Sequence, residues 1–72
     1  MTLQNIDKKI IYKINKIDLI TGKLIETCEW YFKEDAYKDF DDKSESMICN
    51  MVMVLIKDDG KNKKIISERR RL

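Results

Sequence analysis

The spacing of hydrophobic and polar positions changes twice along the chain. From Lys8 to Leu19, Ile10, Tyr12 and Ile14 alternate with polar residues, whereas Ile17 and Leu19 fall in the opposite phase. A phase change inside a strand implies one inserted residue, so the pattern predicts a bulge at Asn15 or Lys16. The stretch Asp18 to Lys23 contains Gly22, which accepts the left-handed backbone that closes a short hairpin. A second strand follows, with Leu24, Cys28, Trp30 and Phe32 on one side and Ile25, Thr27, Glu29 and Tyr31 on the other.

Beyond Glu34 the period becomes helical. Ala36, Tyr37 and Phe40 make one narrow apolar stripe, and Glu34 and Asp35 sit where a helix N-terminus favours negative charge. The helix is expected to end near Ser46. A third strand from Ile48 to Lys57 contains six consecutive apolar residues, Met51 to Ile56, and Asp58-Asp59-Gly60 turns it into a fourth, Lys61 to about Glu68, carrying Ile65 and Ile66. The expected class is α+β: a four-stranded antiparallel sheet of two β-hairpins with one short helix on one face, in the order ββαββ. Residues 1–72 are expected to form one domain, with 69–72 as a basic tail.

One helix covers only one face of such a sheet. On the third strand Met47, Cys49, Met51, Met53 and Leu55 are apolar without interruption, so this set is placed beneath Ala36 and Phe40. Val52, Val54 and Ile56 are left on the open face with Ile25 and Tyr31. Two readings of that face stand: an interface for a second copy or another protein, or a central strand shielded by neighbouring lysine stems.

The 72 residues suffice for one small core that hides only about 60% of the unfolded chain's surface. The formal net charge is +2, which gives no strong pull toward a polyanion. That total conceals a segregation. Residues 1–33 hold six lysines against four acids, 34–47 two against six, and 48–72 seven basic residues against three acids. Neither a signal-peptide pattern nor an apolar run approaching the roughly 20 residues of a membrane span is present, so no membrane association is expected and a cytoplasmic setting is. Cys28 and Cys49 lack CxxC spacing and a nearby His, which disfavours a zinc site. They are read as two buried thiols, with a disulfide as the alternative. Abundant Ile, Lys and Asp with little Ala, Pro or His fits an AT-rich genome, such as that of a low-GC bacterium or its phage.

Catalysis has little to draw on. The chain has no His, no glycine-rich phosphate loop and no nucleophile elbow, so no enzymatic activity, metal or cofactor is expected. Two charged surfaces are candidate binding sites. Glu34, Asp35, Asp39, Asp41, Asp42 and Glu45 on the helix would present carboxylates to a basic groove on a partner, or form the wet side of an amphipathic helix. Lys61, Lys63, Lys64, Arg69, Arg70 and Arg71, with Lys57, would contact nucleic-acid phosphates, or protect an edge strand from aggregation.

In architecture, the hairpin Ile10 to Phe32, the acidic helix and the following strand resemble the small proteins with which phages and mobile elements block host machinery. Anti-CRISPR proteins and a phage inhibitor of uracil-DNA glycosylase are of this kind. The resemblance implies a non-enzymatic inhibitor or regulator that occupies a protein surface in a bacterial host. The expected partner is a protein, with a homodimer across the open face and nucleic acid as second choice.

Overall fold

A computed structural model describes residues 10–72. Five elements follow the order ββαββ: β1 (Ile11–Asp18), β2 (Leu24–Trp30), α1 (Lys33–Glu45), β3 (Met51–Asp58) and β4 (Lys63–Arg71). The strands form one open antiparallel sheet in the order β2-β1-β3-β4, so each hairpin contributes one central and one edge strand. This is the α+β architecture that the two changes of period imply. Lys8 and Lys9, where the first strand is expected to begin, lie outside the described residues.

Both hairpins turn on glycines with positive φ, 75° at Gly22 and 93° at Gly60. Carboxylates stitch the turns. The Asp18 carboxylate accepts from the Ile20 N–H at 2.8 Å, and Asp59 accepts from the N–H groups of Lys61 and Asn62 at 2.9 and 2.7 Å.

The phase change in β1 has a different cause from the one expected. Pairing of β1 with β3 runs without a break from Ile11 to Asp18, so β1 carries no bulge at Asn15 or Lys16. The inserted residue is on the edge strand. Lys16 pairs with Glu26 but Ile17 pairs with Leu24, which leaves Ile25 as the bulge. In β4 Ile66 is inserted in the same way, between Leu55–Ser67 and Ile56–Ile65. Ile17 therefore keeps its alternating place and simply faces away from the helix.

β3 starts at Met51 rather than Ile48, because Asn50 takes φ 63° and breaks the extended run. Asn is among the few residues that tolerate that conformation. The Leu19 N–H donates to the Asn50 carbonyl at 2.9 Å, pinning this connection to the first hairpin turn. β4 continues through Arg71, so the three arginines expected in a tail complete an edge strand.

The core lies on one face. Tyr12 and Ile14 of β1, Met53 and Leu55 of β3, Ala36 and Phe40 of α1, and Met47 after the helix are buried together. Cys28, Trp30, Met51 and Ile66 close its margin. The helix packs over β1, β2 and β3. Arg69 ties β4 to it, its guanidinium 5.5 Å from the centre of the Phe40 ring and 3.2 Å from the Asp41 carboxylate.

Candidate functional site

Alternation assigns the residues opposite the core to a face that no element among the described residues covers. Across it, from β2 to β4, the register sets Leu24, Ile17, Val52 and Arg70 in one row, then Thr27, Asn15, Val54 and Glu68, then Glu29, Lys13, Ile56 and Ile65. Val52, Val54 and Ile56 thus stand on this face as their sequence phase implies. Val52 is already covered, at 6% exposure, while remaining outside the main core cluster; Val54 and Ile56 are half-buried. Ile25 is the exposed bulge residue and Tyr31 lies just beyond the end of β2. Ile17, Leu24 and Ile65 stand on this face as well; the expected phase put Leu24 with Cys28 and Trp30 on the other side, and the bulge at Ile25 moves it here, where it and Ile65 are 55% and 60% exposed.

Most polar groups on this face are matched within the chain, Lys63 at the β4 edge excepted. Thr27 Oγ1 donates to Asn15 Oδ1 at 2.7 Å. Lys13 Nζ lies 3.4 Å from Asp58 and 4.0 Å from Glu29, and Arg70 Nε bonds Glu68 at 2.6 Å. Ion pairs satisfied in this way lower the cost of covering the face, because Lys13, Glu29, Asp58, Glu68 and Arg70 would not be left alone.

The acidic helix does not present its six carboxylates together. Asp39 turns toward the sheet, accepting from Trp30 Nε1 at 2.9 Å and from the Cys28 thiol at 3.5 Å. Asp41 is held by Arg69. Glu34, Asp35, Asp42 and Glu45 remain exposed. Asp35, Asp39 and Asp42, with Trp30 and Lys38, line a shallow recess of about 290 Å³.

Beneath the helix lies a network that sequence reasoning missed. Lys43 Nζ is 2.9 Å from Glu26 and 3.8 Å from Asp39, and Lys16 is 3.2 Å from the other Glu26 oxygen. The hydrogen bonds from Lys43 and Lys16 hold the Glu26 carboxyl below the ordinary carboxylate range, and the bond to Glu26 raises Lys43. Burial, then the neighbouring Asp39, pushes the Cys28 thiol up. The signal was present: Lys16 and Glu26 share the phase of core residues, so each needed a partner of opposite charge on that side. Both cysteines are free, but Cys49 is exposed rather than buried, since it sits in the connection before Asn50 instead of in β3.

The basic residues surround the β4 edge rather than one surface. Lys63 and Arg70 face away from the helix, whereas Lys64, Arg69 and Arg71 face its side. Lys61 is in the turn. Arg69, Arg71 and Leu72 border a groove of about 430 Å³ beside Ser44 and Met47. Among the described residues, no group of three or more His, Cys, Asp or Glu is placed to hold a metal ion, and no helix is long and apolar enough to cross a membrane.

Comparison of the chain with protein-family models, curated proteins and solved structures gave no match.

Proposed function

We propose that this chain is a non-enzymatic binding protein, an inhibitor or regulator that occupies the surface of another protein. The observation that carries this reading is the uncovered sheet face, with an apolar band running from Leu24 to Ile65 and with Lys13, Asp58, Glu68 and Arg70 beside it already paired. An apolar surface of this continuity is the usual mark of an interface. The architectural likeness to phage and mobile-element inhibitors supports a host protein in the bacterial cytoplasm as the target. Glu34, Asp35, Asp42 and Glu45 would serve as a secondary, charged contact on the helix side.

Val54 stands in the middle of the band and is the residue to test. Val54→Lys puts a charge into the buried interface, which costs several kcal/mol and weakens binding at least ~100-fold. Tagged wild-type protein purified from its native cell is expected to retain a specific partner that the variant does not, with the far-ultraviolet circular dichroism unchanged. A partner held equally by both would refute the reading.

Nucleic-acid binding along β4 is the second reading. It draws on Lys61, Lys63, Lys64 and Arg71, which have no ion-pair partner among the described residues. Arg69 and Arg70 favour it less, since each is engaged by a carboxylate of the same chain.

A further inference from the structure

The register divides the uncovered face into a band and two flanks. Six of its apolar positions trace a diagonal, Leu24, Ile17, Val52, Val54, Ile56 and Ile65, from the β2 edge to the β4 edge, with Ile11 to one side of it opposite Asp58. The ends of this diagonal are its most exposed points. On one flank lies Lys13 with Glu29 and Asp58; on the other lies Glu68 with Arg70. Each flank therefore carries both signs of charge.

Resting on the reading of this face as a protein-binding surface, we propose that in the absence of that partner its occupant is a second copy of this chain, packed face to face about a two-fold axis along the diagonal. An isologous contact must be self-complementary. A two-fold along the band lays apolar band on apolar band and exchanges the flanks, so Lys13 of one copy meets Glu68 of the other and Arg70 meets Glu29. Opposite charges face each other on both sides. Joining the sheets edge to edge is less favourable, because two β4 strands would bring Lys63, Lys64 and the arginines against their own kind.

The footprint sets the strength. Four strands at ~4.8 Å span about 19 Å, and eight residues extend about 25 Å, giving roughly 480 Å² per copy and ~950 Å² in all. That is below the ~1,200 Å² at which standard interfaces begin, so the dimer is weak, with dissociation in the micromolar range.

Sedimentation equilibrium of the full chain from about 5 to 500 µM tests this, with the range chosen to bracket such an affinity. Wild type is expected to pass from monomer to dimer mass, and Val54→Lys to remain monomeric with its circular dichroism intact. The geometry is tested by charge exchange. Lys13→Glu and Glu68→Lys should each weaken self-association, whereas an equimolar mixture of the two should restore it, since both cross-interface pairs then regain opposite charges. A mixture no more associated than either variant alone overturns the two-fold arrangement. Wild type that stays monomeric, while Val54→Lys still abolishes capture of its cellular partner, overturns the second copy and leaves the binding face standing. Monomeric wild type with a partner indifferent to Val54→Lys overturns both.

Discussion

Lys43 touches two carboxylates, Glu26 and Asp39, and through them links helix, β2 and β1. Because Glu26 ionises more readily in the folded chain, its contribution to stability is complete above the ordinary carboxylate range and is lost as pH falls through its lowered folded value. Lys43 behaves oppositely: its contribution is complete below the ordinary lysine value and is lost as pH rises through its raised one. Glu26 is partly exposed, at 42% of its side chain, so solvent screening limits its effect to about 0.5 kcal/mol. Glu26→Gln is expected to flatten the acid limb of a plot of urea-unfolding free energy against pH while leaving the neutral plateau lower by that amount. Asp58 and Asp59, also lowered, by turn N–H groups, supply acid sensitivity that the variant retains. An unchanged acid limb would show that the network contributes nothing.

At the scale of elements, α1 begins without a side-chain cap. Phe32 occupies the N-cap with φ −118° and ψ 135°, the extended geometry that Ser or Asp uses to accept from a first-turn N–H, and the residue is 68% exposed. Phe32→Ser is expected to stabilise the fold by about 1 kcal/mol, read from the midpoint of chemical unfolding. A loss of stability would instead mean that the exposed ring packs against something in solution. The edge bulges at Ile25 and Ile66 belong to the same scale. Each shifts an outer strand by one residue against its central neighbour, and this returns Leu24 and Ile65 to the uncovered face.

Over the whole molecule, charge is divided between a helix layer with outward carboxylates and a basic β4 edge. The net charge of +2 leaves little long-range attraction for a polyanion. Fluorescence anisotropy with duplex DNA at physiological salt is expected to show micromolar or weaker, sequence-independent affinity, falling steeply as salt rises. Lys64→Ala with Arg71→Ala should lower the salt slope by roughly one unit for each phosphate that the protein ceases to neutralise. Both residues lack an ion-pair partner among the described residues, so the fold should be spared, unlike replacement of Arg69, which binds Asp41 and Ser44. Nanomolar, sequence-specific binding that disappears with those two side chains would replace the protein-binding reading.

The element order was legible in the residues themselves. Two switches of hydrophobic period and two turn glycines specify hairpin, helix and hairpin through local sterics and alternation alone, and the unbroken odd set of β3 marks most of the core face. The candidate site was legible only in part, for the same reason: Val52, Val54 and Ile56 declare their face within one strand. What joins them does not. Leu24, Ile17 and Ile65 reach that face through pairing with other strands and through bulges whose position depends on the neighbour, while Asp39 and Arg69 are engaged by partners on other elements. Period and propensity act over a few residues, so they determine which elements form. Register, bulge placement and the pairing of charges are decided only when strands meet.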